Sequence, residues 1–291
     1  MKKKNSTAQR KKVKFDNKYL KDPKIKKIYL TFKKQLYSQI KNEKFCIGVS
    51  GGPDSLALAF LGKIFSKEFN SKFIALIIDH NLRKQSGTEA RKVKKILTKH
   101  KIRTKILTWK GKIPKSNIQF NARNIRYFLL NKECNKLNIK NLVLAHHEGD
   151  LIENFFIRLF RGSGLKGLSS LNIKRHSEDN ILNLIRPLIN TKKNELIYIS
   201  KKVFKFYLTD PSNFKEKFLR TRIRNYLDKF KLDGLDINKV KLTLSNLQSA
   251  NESINFYKEK SIKNYVRYLQ RNSCFVSYGL FNYESEEVIF R

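Results

Sequence analysis

Between residues 45 and 161 the chain alternates short, continuously apolar runs with longer segments whose apolar residues recur at helical spacing. Apolar runs of strand length that alternate with helices indicate parallel strands buried on both faces. A further helical pattern begins near residue 24. The predicted strands are 45–50, 72–79, 104–109 and 141–145, and the predicted helices between them are 55–65, 88–100, 117–137 and 150–161. The sequence therefore predicts an α/β fold with a doubly wound, mainly parallel sheet.

The pattern changes after residue 161. A run rich in Gly and Ser, residues 162–170, predicts a loop, and residues 181–188 predict a further strand or an edge segment. The later predictions are a helix at 191–203 capped by Thr191, a helix at 217–230, one or two helices over 237–270 and a small β-rich end at 274–290. We expect a boundary near residue 215. It separates a basic arm (1–22) and an α/β domain (23–215) from a smaller, mostly helical region (216–291).

The charge of the chain points to a polyanionic partner. Its 291 residues include 63 Lys+Arg against 24 Asp+Glu, which gives a formal net charge of +39. Nucleic acid would relieve this self-repulsion while releasing its own counterions. Drift in composition explains a choice of Lys over Arg, but it does not explain the shortage of acids. An acidic membrane surface is the competing partner, yet the sequence shows no recognisable basic amphipathic anchor helix.

Composition also limits the class of protein. Hydrophobic residues make up 40% of the chain, enough for a packed core. No apolar run approaches the roughly 18 residues that span a bilayer, and the basic N-terminus lacks the apolar stretch of a secretory signal. Cys46, Cys134 and Cys274 form no CxxC pair, which excludes a disulfide scaffold and gives no zinc or iron–sulfur spacing. We expect a reduced, cytoplasmic protein with no membrane partner.

The strongest local signal is a phosphate-binding loop between the first predicted strand and its helix. The loop consists of Ser50, Gly51, Gly52, Pro53, Asp54 and Ser55. Its glycines let a ligand approach the backbone, and the helix start offers unpaired N–H groups to an anion. The loop contains no lysine, so it is not a Walker A motif. Because Asp54 would repel phosphates unless a cation bridged them, it indicates Mg²⁺. An ordinary strand-to-helix turn is the alternative.

Other polar residues are candidates for the same site. His146 and His147 end the fourth predicted strand, where active sites of parallel sheets gather, although one of them could equally be a buried structural histidine. Asp150 and Glu153 lie opposite the apolar face of the next helix, where acids also favour the helix dipole. The arginine candidates are Arg123 and Arg126 on one helix face, and Arg220, Arg222 and Arg224 in the predicted helix 217–230. A solvated surface is the alternative for each arginine set. The GxGxxG pattern at 162–167 follows a helix, so it lacks the context of a dinucleotide site.

The order of these motifs resembles a known family. The loop at 50–55 is similar to the SGGxDS loop of the N-type ATP pyrophosphatases, and residues 78–90 resemble the signature that follows their second strand. Residues 145–168, 185–188 and 210–224 are similar to the tRNA(Ile)-lysidine synthases within that superfamily. The resemblance covers roughly residues 41–230. The ordered series is far more specific than any single motif.

This resemblance implies ATP-dependent ligation of L-lysine to C2 of the wobble cytidine (C34) in the CAU anticodon of tRNA(Ile). The products would be lysidine, AMP and pyrophosphate, and the tRNA would then decode AUA instead of AUG. ATP and Mg²⁺ are the implied cofactors, and tRNA(Ile) is the implied partner. The oligomeric state stays open, a homodimer included.

The resemblance also assigns roles to individual residues. Asp54 would bind Mg²⁺, Arg123 would lie near the reacting base and nucleotide, and Asp150 would orient or deprotonate the amine of lysine. The remaining assignments are ATP binding by residues 50–55, an active-site position for His146, His147 and Glu153, and tRNA binding by Arg220, Arg222 and Arg224. The family usually carries two adjacent acids after the histidines, whereas this chain has Gly149 before Asp150. The role of the first acid is therefore absent or supplied elsewhere.

Other functions stay open as alternatives. A tRNA-thiolating pyrophosphatase has the same loop but needs a sulfur-handling cysteine set, and the CxxC is missing here. Loss of Asp54 or of the loop serines would favour a non-catalytic RNA-binding relative, yet all are present. An amidotransferase-type synthetase would need a glutaminase partner, and the charge of +39 argues against such a small-molecule enzyme.

Overall fold

The computed structural model describes residues 18–81, 85–112, 116, 118–176, 182–209, 219–270 and 273–290. The chain forms two compact units, the first comprising Met1–Asp150 and Ile173–Asn213 and the second Leu151–Asn172 and Phe214–Arg291. The single boundary expected near residue 215 differs from this division, because residues 151–172 cluster with the C-terminal region. Most of the predicted basic arm (1–22) and the predicted boundary at 210–215 lie outside the described residues.

The elements follow one another in the order that the hydrophobic pattern predicts. After a 3₁₀ turn at Lys18–Lys21, the first half of the chain forms α1 (Pro23–Ile40), β1 (Phe45–Val49), α2 (Pro53–Glu68), β2 (Phe73–Asp79), α3 (Ser86–Lys99), β3 (Thr104–Thr108), α4 (Ile118–Lys136), β4 (Asn141–Val143) and α5 (Glu148–Leu159). The second half forms α6 (Leu165–Leu168), β5 (Lys174–His176), β6 (Asn183–Ile185), α7 (Lys193–Phe204), α8 (Leu219–Leu232), α9 (Ile237–Tyr265), β7 (Val266–Gln270), β8 (Ser273–Val276), α10 (Gly279–Tyr283) and α11 (Glu286–Ile289). Helix α5 begins in the first unit and continues into the second.

The main sheet has the strand order β3-β2-β1-β4-β6-β5. Its first five strands are parallel, and β5 pairs antiparallel with β6. The predicted mainly parallel sheet is therefore confirmed. The chain runs outward from β1 through β2 to β3 and then returns to place β4 on the other side of β1. Ligands of open α/β sheets bind beyond the carboxyl ends of the strands at such a reversal. The loop at 50–55 follows β1, and the histidine pair follows β4.

Both faces of the sheet are covered, as continuous apolar strands predict. Side chains of β1 alternate between two hydrophobic clusters: Ile47 and Val49 pack with residues of α1, α2, α3 and α7. Cys46 packs on the opposite face with Leu130 and Cys134 of α4. The two clusters hold the carboxyl ends of β1 and β4 side by side, and this arrangement positions the candidate site.

Several local predictions differ from the structure. The predicted loop at 162–170 contains the short helix α6. Of the two alternatives for residues 181–188, the further strand is confirmed, since residues 183–185 form β6 between β4 and β5. The predicted Thr191 cap of α7 is wrong: Lys192 is the N-cap, and its backbone N–H donates to the Glu195 carboxylate at 2.8 Å. Glu195 lies three residues after the cap, the position from which a side chain reaches back to that N–H.

The second unit is mostly helical, as predicted, but its end differs. Helix α9 runs unbroken from Ile237 to Tyr265, and β7 then pairs with β8 in an antiparallel hairpin. The predicted β-rich end at 274–290 is wrong beyond Val276, where the described residues form α10 and α11. The hairpin strands pair with each other, and Tyr268 and Phe275 stay exposed, so no buried face sets a pattern for this end. Among the described residues, no helix is both long and apolar enough to cross a membrane.

Candidate active site

The loop at 50–55 is held in shape by the hydroxyl of Ser55. This buried oxygen accepts hydrogen bonds from the backbone N–H groups of Ser50 (3.2 Å) and Gly51 (3.1 Å), and it donates to the carbonyl of Gly52 (3.0 Å). Gly51 has φ = +88°, which an L side chain rarely adopts, and an added Cβ would lie 2.5 Å from Val93 Cγ2. The chain can therefore turn here from β1 into α2 only with glycine at position 51.

Helix α2 begins directly behind this loop with its positive dipole end toward it. Its N-cap is Gly52, which offers no capping side chain, and Pro53 occupies the first turn, where its missing N–H costs nothing. An anion is the partner that such a helix start favours. The alternative of an ordinary strand-to-helix turn gains no support from capping, because the described residues provide no side-chain cap at the start of α2.

The structure brings Asp54, His147 and Asp150 together. The Nε2 atom of His147 lies 3.9 Å from Asp54 Oδ2 and 3.6 Å from Asp150 Oδ2. Asp150 also accepts a hydrogen bond from the backbone N–H of His147 at 3.1 Å. His147 is buried. Two of the three predicted catalytic residues thus lie around one imidazole, although 96 positions separate them in the sequence.

Gly149 determines how His147 is oriented. Its backbone N–H donates to His147 Nδ1 at 3.0 Å, so a neutral imidazole carries its proton on Nε2, the atom that faces both carboxylates. A Cβ at position 149 would lie 2.9 Å from His147 Cε1 and 3.2 Å from Nδ1. An acidic residue at 149 would therefore displace the ring, and this contact is the physical reason that glycine suits the position.

His146 has a different environment from its neighbour. Its Nδ1 accepts a hydrogen bond from Nε of Arg186 at 3.1 Å, and Arg186 is almost fully buried. The sequence left open which histidine is a buried structural one; His147 is buried and His146 is half-buried, and both accept hydrogen bonds at Nδ1. His146 is held by Arg186, whereas His147 faces the carboxylates.

Lys193 lies beside Asp54, although no sequence motif points to it. Its Nζ lies 2.5 Å from Asp54 Oδ2, and its side chain is 46% exposed. Lys193 is the first residue of α7, which lies 139 positions after Asp54, and no local pattern links the two. The loop itself contains no lysine, but the fold supplies one beside it.

Asp54 also provides the observation that bears on a metal ion. Its Oδ1 atom is buried, and among the described residues it has no hydrogen-bond partner. A carboxylate oxygen is the ligand that Mg²⁺ prefers, and Mg²⁺ usually takes one or two carboxylates together with waters and phosphate oxygens. No group of three His, Cys, Asp or Glu side chains among the described residues can hold a metal alone. The residues present fit an Mg²⁺ that shares Asp54 with a nucleotide.

Two further residues lie on neighbouring elements: Arg123, a predicted site residue, and His80, which belongs to the motif at 78–90. Arg123 is exposed on α4, and its guanidinium stacks over the ring of Tyr127 at 5.1 Å. No contact described for Arg123 reaches Asp54, so its role near the reacting base stays a prediction. His80, directly after β2, has a buried Nδ1 without a hydrogen-bond partner among the described residues. Burial lowers its pKa to about 4, and the positive charge of Arg126 acts in the same direction.

In the second unit, Glu153 and Arg224 bind each other. Arg224 donates from Nε to Glu153 Oε1 and from Nη2 to Oε2, the latter at 3.0 Å. The Glu153 side chain is only 7% exposed, whereas that of Arg224 is 40% exposed. This ion pair joins α5 to α8, so both residues have a structural role that the sequence did not indicate. Arg220 and Arg222 are exposed on α8, and their predicted contact with tRNA stays a prediction.

Much of the chain is similar to known proteins. Residues 25–230 match the PP-loop domain family. A tRNA(Ile)-lysidine synthase from Orientia tsutsugamushi (strain Boryong) is 43% identical over 188 residues, which cover 64% of this chain and 42% of that relative. One from Rickettsia bellii (strain OSU 85-389) is 41% identical over 187 residues, 64% of this chain and 43% of the relative. The matched region thus spans less than half the length of these relatives.

A solved structure shares the fold. The U34-tRNA thiolase NcsA from Methanococcus maripaludis, solved with its 4Fe-4S cluster, superposes with a TM-score of 0.65 at 20% sequence identity and covers 80% of both chains. At this identity the likeness concerns the fold alone.

Proposed function

Because the chain belongs to the PP-loop family, we propose that it ligates L-lysine to C2 of the wobble cytidine in the CAU anticodon of tRNA(Ile). ATP is consumed, and lysidine, AMP and pyrophosphate are formed. The observation that carries this proposal is the cluster of Asp54, His147 and Asp150 beside the loop at 50–55, at the carboxyl ends of β1 and β4. The similar tRNA(Ile)-lysidine synthases support the choice of amino acid and tRNA.

In the first step the loop and the start of α2 bind the β- and γ-phosphates as the leaving group and expose the α-phosphorus. The O2 atom of the cytosine attacks this phosphorus, and pyrophosphate leaves as the new phosphate–oxygen bond forms. Mg²⁺ bound by Asp54 would supply positive charge to the phosphates. Arg123 on α4 is the cation that we assign to the charge developing on the nucleotide.

In the second step the ε-amine of lysine attacks C2 of the cytidine and displaces AMP. The amine must be neutral to attack, so a proton has to be removed from the lysine ammonium. We assign this role to Asp150, whose carboxylate lies beside His147. The Nε2 atom of His147 lies 3.9 Å from Asp54 Oδ2 and 3.6 Å from Asp150 Oδ2, so its N–H would orient both carboxylates.

The basic character of the chain is consistent with a large, negatively charged substrate. A net charge of +39 favours a polyanion such as tRNA, and Arg220 and Arg222 are exposed on α8 for contact with phosphates. An unpaired base of the anticodon loop can turn out into a protein pocket, whereas a base that is paired and stacked in a double helix cannot. Because its substrate would be tRNA, the proposal includes a cytoplasmic location.

The test is ATP-dependent incorporation of radiolabelled lysine into total bacterial tRNA by this chain. We expect label in one tRNA species, reduced at least about 100-fold by Asp54→Asn, because the loop loses its carboxylate. Asp233→Asn, which changes an exposed residue of the second unit, is the matched control and should retain activity. Bound tRNA without lysine label would refute lysidine formation. Thiolated tRNA in the presence of a sulfur donor would favour the thiolating alternative instead.

A further inference from the structure

The loop at 50–55 places an acid where the proposed substrate carries its highest negative charge. Asp54 is the second residue of α2, at the helix start that favours an anion, and the loop contains no basic residue. A triphosphate bound there would face the Asp54 carboxylate. A single divalent ion leaves negative charge on the β- and γ-phosphates, so a protein cation is needed as well.

Lys193 is placed to supply that cation. Its Nζ donates a hydrogen bond to Asp54 Oδ2 at 2.5 Å. The other carboxylate oxygen, Oδ1, is buried and has no hydrogen-bond partner among the described residues. One oxygen of the carboxylate is therefore occupied by the ammonium, while the other stays open for a metal. An ammonium has three donors, so it can bind a carboxylate and a phosphate at once.

The backbone that carries Lys193 is fixed against the loop. Helix α7 packs on α2, with Leu196 and Ile199 fully buried, and the hydroxyl of Ser200 donates to the carbonyl of Pro53 at 2.6 Å. The backbone N–H at the start of α7 is held by Glu195. The side chain itself is 46% exposed and flexible. Its origin is therefore rigid, while its tip is free to turn from the carboxylate to a ligand.

We propose that Lys193 is a phosphate-binding residue of the site: it pairs with Asp54 in the absence of nucleotide and binds the β- and γ-phosphates when ATP enters. This inference rests on the proposed function, because it assumes that the loop at 50–55 binds the pyrophosphate part of ATP. It adds a residue from α7, outside the loop, to the recognition of a polyphosphate.

The test compares ligands with and without the β- and γ-phosphates. Isothermal titration calorimetry with ATP, pyrophosphate and AMP is carried out on the wild-type chain and on Lys193→Gln. A charge-assisted hydrogen bond changes affinity by about 10- to 100-fold, so ATP and pyrophosphate should bind that much more weakly to the variant. AMP should bind both proteins within about twofold, because the lost partner contacts only the other phosphates.

Two further variants make the result specific. Lys201→Gln removes an exposed charge from the same helix and should leave all three affinities unchanged. Lys193→Arg keeps the charge and should retain most of the pyrophosphate affinity. Equal loss for AMP and pyrophosphate in Lys193→Gln would overturn the proposal, because it would indicate a distorted loop. Unchanged pyrophosphate binding would also overturn it. If the wild-type chain bound neither ATP nor pyrophosphate, the proposed function itself would fail.

Discussion

Arg224 was predicted to bind tRNA, but in the structure it forms an ion pair with Glu153, and mutation can distinguish these two roles. Replacing Arg224 by Met leaves the buried Glu153 carboxylate without its two charged hydrogen bonds. Breaking a buried ion pair costs about 3–5 kcal/mol. Because the arginine is 40% exposed, water screens the pair and replaces part of the lost contact. We therefore expect Arg224→Met to lower the free energy of unfolding by about 2 kcal/mol.

The assay is urea denaturation followed by circular dichroism, with amide hydrogen exchange to localise the loss of stability to α5 and α8. Replacing both partners, as Glu153→Leu with Arg224→Met, removes the unpaired charge and should recover stability to within about 1 kcal/mol of the wild-type value. Arg222→Met changes an exposed arginine of the same helix and should alter stability by less than about 0.5 kcal/mol.

Binding of tRNA provides the opposite readout. Arg222→Met should weaken tRNA binding and reduce its dependence on salt, since one phosphate contact is lost. Arg224→Met should leave that salt dependence unchanged. The structural role of the pair would be refuted by two results together: Arg224→Met retains the stability of the wild-type protein, and it loses as much tRNA affinity as Arg222→Met.

Three further predictions concern the first unit. Ser55→Ala removes the acceptor of two loop N–H groups and should weaken ATP binding about tenfold by calorimetry; unchanged affinity would contradict the role of this hydroxyl. His147→Gln should slow AMP formation more than His146→Gln, because His147 and not His146 faces the two carboxylates; a larger effect of His146→Gln on AMP formation would exchange their roles. Burial lowers the pKa of His80 from 6.5 to about 4, so the unfolded chain takes up a proton between these values that the folded chain excludes. The free energy of unfolding should therefore fall as the pH drops through this window, and it should fall less steeply in His80→Phe. Urea denaturation at several pH values measures this dependence, and an equal dependence on pH in both proteins would contradict the prediction.

The sequence predicted the parts of the molecule that local pattern controls. Strands β1 and β2 are continuous apolar runs, and the loop at 50–55 is defined by six consecutive residues, so both can be recognised without the fold. Strand β5 could not be predicted, because its residues, Lys174–His176, are polar and the strand exists only through pairing with β6. The contact of Lys193 with Asp54 joins positions 139 apart, and that of Arg224 with Glu153 joins positions 71 apart. Charged residues of this kind are common on helix surfaces, and only tertiary structure selects the partner.

The net charge of the whole chain is positive, whereas the candidate site contains two carboxylates, so the two favour ligands of opposite charge. Under the proposed function, a net charge of +39 would favour tRNA but disfavour lysine, which would enter as a cation. Asp54 and Asp150 form a local acidic region within this basic protein, and their Oδ2 atoms share the His147 imidazole between them. Lys193 pairs with Asp54 and neutralises part of that region. If ATP draws the ammonium of Lys193 to its phosphates, Asp54 is freed to bind Mg²⁺, and Asp150 is left as the carboxylate that would attract the ammonium of lysine. The two carboxylates beside His147 would then serve different cations, Asp54 the metal and Asp150 the substrate amine.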